Sequence, residues 1–208
     1  RVATMIGSER QKSFMGSLGF LEPIPLEMIE AKGGRPLIPT KWSELSTMTV
    51  SYGHGLSATP LHLATGYAAI ANGGYKITPT LVLDRNAPLK TRVLSPEIAN
   101  ASLKMLRAVV TDGTASMAEV AGYAVAGKTG TAVKPGKGRY QTDKVIATLA
   151  SIFPAYEPKY VLVVALDEAE DRTGLEPRRT AGWTAVPVSA EIIRRIAPLL
   201  GLAPRFEN

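Results

Sequence analysis

The sequence predicts an α/β (α+β) fold in which an antiparallel sheet is covered by helices on both faces. Three observations lead there. Strand-like runs at 124–134, 145–152 and 160–167 are joined by turn-rich links, the shorter of about seven residues, too short for the crossover helix that a parallel pair needs. The middle run is apolar on both faces, with Val145, Ala147 and Leu149 set against Ile146, Ala150 and Ile152, so it needs cover on both sides. Helix-period segments precede and follow the three runs and can supply that cover.

Taken in order, residues 1–18 carry Val2, Met5, Ile6, Met15 and Leu18 at helical spacing, with a stop at Gly19. Residues 20–40 hold Pro23, Pro25, Gly33, Gly34, Pro36 and Pro39 and read as irregular loop. A helix then begins at Thr59, a capping residue, with Pro60 in the first turn, where its missing N–H costs nothing. Leu63, Tyr67 and Ile70 form its stripe and Gly73 ends it. Ser95 caps the next helix, Leu103, Leu106 and Val110 form its buried face, and Gly113 stops it. After the three strand-like runs, an amphipathic helix covers 187–200.

Hydrophobic residues make up 45% of the 208 residues and charged residues 20%, which suits a folded chain of roughly one domain. Lys and Arg outnumber Asp and Glu by 24 to 18. These basic residues are scattered, which points to a solvated surface, with a weak preference for anionic polymers, lipid headgroups or nucleic acid as the second reading. There is no cysteine, so disulfides, zinc–thiolate sites and cysteine nucleophiles are excluded. No apolar run approaches the ~20 residues that span a bilayer, and no signal peptide is visible. The chain opens on Arg1 within what reads as a helix in progress; the expectation is a piece of a longer chain, with any export signal or anchor upstream.

The stretch "GYAVAGKTGTA", residues 122–132, admits two chemistries. Gly122-x-x-x-x-Gly127-Lys128-Thr129 fits a phosphate-binding loop, whereas Lys128-Thr129-Gly130 fits the K-T-G triad of acyl-transfer enzymes. A phosphate loop must feed directly into a helix. The residues after Thr129 include Gly130, Gly136, Gly138, Pro135 and the β-branched Thr131 and Val133, a poor helix. "VLVVALDE", 161–168, resembles the second motif of a nucleotide hydrolase, but it lies in an antiparallel meander rather than in parallel strands. The strand reading is chemically coherent. Lys128 and Gly130 then face one way and Thr129 and Thr131 the other. An edge strand can pair with an extended peptide, Gly130 leaves room for it, and Lys128 brings a positive charge that can hold a carboxylate or assist proton transfer. A backbone N–H after the glycine can face a developing oxyanion.

"SYGHGLSATPLHLATGYAAIANGG", 51–74, followed about fifty residues later by "AGKTGTA" on a strand, resembles the transpeptidase domain of class B penicillin-binding proteins, in particular the division-type group of α-proteobacteria. The resemblance extends through "RRTAGWTAVPVSAEIIRRIAPLLGLAP" to nearly the whole chain. It implies a serine β-lactamase/transpeptidase-like fold, here incomplete, with residues 1–208 as the C-terminal part of the domain. The family uses S-x-x-K, S-x-N and K-T-G. Only the third is present: no serine has a lysine three residues on, and no S-x-N occurs.

The implied activity is peptidoglycan D,D-transpeptidation through an acyl-enzyme at the septum, with no cofactor. The implied partners are stem peptides, β-lactams and division proteins, with no nucleic acid and membrane contact only through an upstream anchor. The implied location is the periplasmic face of the inner membrane. By the same resemblance Lys128, Thr129 and Gly130 are the catalytic strand, Thr131 binds the substrate or β-lactam carboxylate while its N–H forms part of the oxyanion hole, and Tyr140 borders the pocket. A catalytically inactive relative serving as a division scaffold is the alternative, and a class D-type serine β-lactamase a third reading that the "TPLHLA" context disfavours.

Other candidates read as structural. His54 and His62 lack a G-x-S-x-G partner and point to surface or packing roles. Tyr52, Gly53 and Gly55 shape a turn. Asp167, Glu168, Glu170, Asp171 and Arg172 read as a solvated charged loop, and Trp42 and Trp183 as packing anchors. No metal constellation is evident.

Overall fold

The structure, a computed structural model, describes residues 1–83, 89–136 and 140–206. Strands β1 (Tyr75–Ile77) and β2 (Lys90–Arg92) form a small antiparallel pair. The main sheet has the order β3 (Ala126–Pro135), β4 (Tyr140–Phe153), β5 (Tyr160–Asp167), with both pairings antiparallel. The expected meander is therefore present, and the residues after Thr129 continue as strand. Gly122, the first glycine of the phosphate-loop pattern, has a structural role. Its φ is 85°, and a Cβ there would lie 2.6 Å from Pro204, in a region where only glycine is at ease.

Cover comes from both faces. Helix α6 (Ala185–Leu199) buries Val186, Ala190, Ile193 and Ala197 in one cluster with Ala147, Leu149 and Val164, a spacing set by the 3.6-residue period. Alternation puts Ala126, Ala150 and Ile152 on the opposite face; all three are buried, beneath helices α4 (Pro60–Ala71) and α5 (Pro96–Thr111), which pack on the sheet. Leu149, Ile152 and Phe153 are completely enclosed, each such burial contributing roughly 1.5–3 kcal/mol.

Both expected caps form: Ile98 N–H donates to Ser95 Oγ at 3.3 Å, and His62 N–H donates to Thr59 Oγ1 at 3.4 Å. His62 completes a capping box, because Thr59 N–H donates to its Nδ1 at 3.2 Å. Its Nε2 donates to Glu22 O at 2.9 Å, so this buried ring ties α4 to the irregular 20–25 segment. The deepest line of α4 runs through His62, Gly66 and Ala69, one position away from the expected stripe of Leu63, Tyr67 and Ile70. The shift follows from Phe20, whose ring lies against Gly66, where an added Cβ would approach to 3.0 Å.

The N-terminal segment differs from expectation. Instead of one helix over 1–18 there are two, α1 (Val2–Ile6) and α2 (Ser8–Leu18), separated by Gly7 at φ 82° and ψ 160°. A short helix, α3 (Glu44–Val50), capped by Ser43, is an addition. Gly53 and Gly55 take φ 87° and 82°, which forms the expected turn. Among the described residues no helix is long and apolar enough to cross a membrane.

Candidate active-site wall on strand β3

Strand β3 is an edge strand, and its two inner glycines differ in a telling way. A Cβ at Gly127 would lie 2.7 Å from the Ala150 carbonyl oxygen, so close pairing with β4 requires glycine there. A Cβ at Gly130 would meet nothing nearer than Thr148 Cβ at 4.0 Å. Folding of the described chain does not demand a glycine at 130; an object laid against that face would.

Register places Thr129 beside Leu149 and Thr131 beside Ala147, on the α6 face, with Lys128 and Gly130 on the other. Lys128 is exposed and its chain curls round the open edge. Its Nζ donates to Thr129 O at 2.8 Å and to Thr129 Oγ1 at 3.3 Å. The Thr129 hydroxyl also shares a 2.8 Å hydrogen bond with Thr114 Oγ1. The Thr131 hydroxyl accepts from Ala181 N–H at 3.1 Å. Because Thr129 O takes the ammonium at the open edge, and backbone direction repeats every second residue, the Thr131 N–H and C=O face outward too. The edge thus offers a donor, an acceptor, a cation and two hydroxyls within four residues. An extended peptide can pair there while a backbone N–H faces a carbonyl that becomes an oxyanion.

The loop 168–184 closes one side. Asp171 and Arg178 exchange two backbone bonds of 2.9 Å each, and Arg178 stacks over Trp183 at 3.6 Å. Arg172 and Arg179 both bind Glu170, and they hold its carboxyl below the usual range, Arg172 first. Asp171 is likewise lowered, chiefly by the Thr173 backbone N–H and hydroxyl. As read from the sequence, Asp167, Glu168 and Arg172 are exposed to solvent, and ion pairs knit the loop together; Trp183 packs against Arg178 but is half-exposed. Trp42 does anchor, its Nε1 donating to Gln11 Oε1 at 3.2 Å.

Beyond Thr131 the strand borders a cleft of about 570 Å³ lined by Leu37, Leu45, Thr49, His54, Val133 and Ile146 among others. Lys134 spans the sheet to Asp167 and to Glu168 Oε1 at 2.9 Å; these bonds, Asp167 first, raise its affinity for its proton.

Of the residues singled out in the sequence, Lys128, Thr129, Gly130 and Thr131 come together. Tyr140 opens β4 opposite Pro135, and its side chain lies outside the described residues. Sequence reasoning missed Thr114 and Ala181, which touch the strand only through the fold.

The family model described as the penicillin binding protein transpeptidase domain matches residues 1–194. A probable peptidoglycan D,D-transpeptidase FtsI of Caulobacter vibrioides is 33% identical over 217 residues, covering 99% of this chain and 36% of that protein. A probable peptidoglycan D,D-transpeptidase PbpC of Pseudomonas aeruginosa is 34% identical, covering 98% and 35%. The chain therefore spans about a third of the length of these curated relatives. Among solved structures, the transpeptidase domain of Burkholderia pseudomallei penicillin-binding protein 3 superimposes with a TM-score of 0.87 at 30% identity, covering 99% of this chain and 62% of that one. Penicillin-binding protein 3 of Mycobacterium tuberculosis, complexed with ampicillin, gives 0.83 at 28% identity, covering all of this chain and 49% of that one. Edge strand, register and relatives agree: the chain belongs to the family of penicillin-binding protein transpeptidase domains.

Proposed function

We propose that residues 1–208 are the C-terminal part of the transpeptidase domain of a septal peptidoglycan D,D-transpeptidase. The observation that carries this reading is the open edge at Gly130, flanked by Lys128 and by the outward-facing Thr131 N–H. In the proposed reaction a serine hydroxyl outside this chain attacks the carbonyl of a stem peptide or β-lactam and loses its proton to a neighbouring base. The tetrahedral oxyanion is held partly by Thr131 N–H, and collapse expels the amine, which takes up a proton, leaving an acyl-enzyme. Lys128 stabilises charge, Thr129 orients Lys128, Gly130 admits the ligand backbone, Thr131 holds the ligand carboxylate, and Tyr140 borders the pocket. No cofactor is needed. Stem peptides and β-lactams are the ligands, division proteins the partners, and the periplasmic face of the inner membrane the place of work.

Incubating the full-length protein with a fluorescent penicillin tests this. One covalent label per molecule is expected. An intact, folded protein that takes no label would mean a catalytically inactive scaffold. Residues 1–208 alone should form no adduct, since none of their serines has a lysine three residues on.

A further inference from the structure

Thr114 lies in the turn after α5, fifteen positions from Thr129, and their hydroxyl oxygens are 2.8 Å apart. The Thr129 oxygen also receives the Lys128 ammonium. A hydroxyl has one proton and two lone pairs. If Thr114 donates, the Thr129 oxygen accepts from both Thr114 and Lys128, and its own proton is free to turn toward the open edge. Without the Thr114 hydroxyl, Thr129 loses the contact that fixes its side-chain rotation and one donor to its oxygen.

A second contact concerns the loop 168–184. A Cβ at Gly182 would stand 3.1 Å from the Thr114 carbonyl oxygen, so the loop comes right up to this turn. The preceding residue, Ala181, donates to Thr131. Thr114 thus touches both the K-T-G strand and the loop that holds Thr131.

We infer that Thr114 is a positioning residue for acyl transfer: it orients the Thr129 hydroxyl and, through it, the Lys128 ammonium. The inference rests on the transpeptidase reading above. Thr114→Val keeps the shape and removes the hydroxyl; Thr114→Ser keeps the hydroxyl.

In the full-length protein, penicillin acylation is resolved into pre-covalent affinity and acylation rate, with melting temperature measured alongside. Thr114→Val is expected to acylate about tenfold more slowly, the worth of roughly one hydrogen bond. Affinity and melting temperature should stay near wild type, and Thr114→Ser should restore the rate. Thr114→Val acylating at the wild-type rate would overturn the inference alone, as would Thr114→Ser that is folded yet as slow as Thr114→Val. Failure of the wild-type protein to acylate would overturn the transpeptidase reading, and this inference with it.

Discussion

Gly127 and Gly130 stand three residues apart on one strand, yet their replacement should have opposite consequences. Gly127→Ala drives a methyl into the Ala150 carbonyl and should lower stability by about 1–3 kcal/mol, seen as a lower urea midpoint of the full-length protein. Gly130→Ala meets no close neighbour, so its midpoint should stay near wild type while penicillin acylation slows about tenfold or more. Equal stability losses would show that Gly130 serves packing, and the account of the open edge would fail. At this scale the sequence was legible where the candidate residues are consecutive, since alternation alone sorts Lys128 and Gly130 from Thr129 and Thr131. It was silent on Thr114 and Ala181, because no spacing links a turn hydroxyl or a loop N–H to a strand that only folding brings near. The charges at 167–172 were visible, but their pairing with Lys134, Arg178 and Arg179 was not.

Among the elements, long periodic segments were readable and short ones were not. β5 has the expected limits, 160–167, and α4 and α5 begin at the expected caps. α3 was missed because its seven residues include two β-branched threonines and little apolar periodicity. β1 and β2, at three residues each, are too short for alternation to register. Gly7 breaks the first helix because it adopts a left-handed φ that cannot continue α geometry. Capping gives the element-scale prediction. Thr59 accepts from His62 N–H and its own N–H serves the His62 ring. Thr59→Ala should therefore cost about 1 kcal/mol or more, measured by chemical denaturation of the full-length protein. A change of only a few tenths would show that the His62–Glu22 link holds the start of α4 unaided.

For the whole molecule, one sheet is packed on its faces and open at one edge. Its α6 face and its opposite face make the core, while the outer edge of β3 is left unpaired among the described residues. The fold class was legible because short links leave no room for crossover helices and because β4 is apolar on both sides. What the sequence left open is how the edge is completed, since this chain spans about a third of its curated relatives. We propose that the β3 edge is one wall of an acyl-transfer site whose nucleophile lies outside residues 1–208. The most direct measurement is peptide mapping of the full-length protein after β-lactam treatment, with acylation rates taken for wild type and Lys128→Ala. The account predicts a single adduct, on a serine followed three residues later by lysine and outside 1–208, formed on the order of 10²-fold more slowly once Lys128 is removed. An adduct on any serine within 1–208, or Lys128→Ala acylating within a few-fold of wild type, would contradict it.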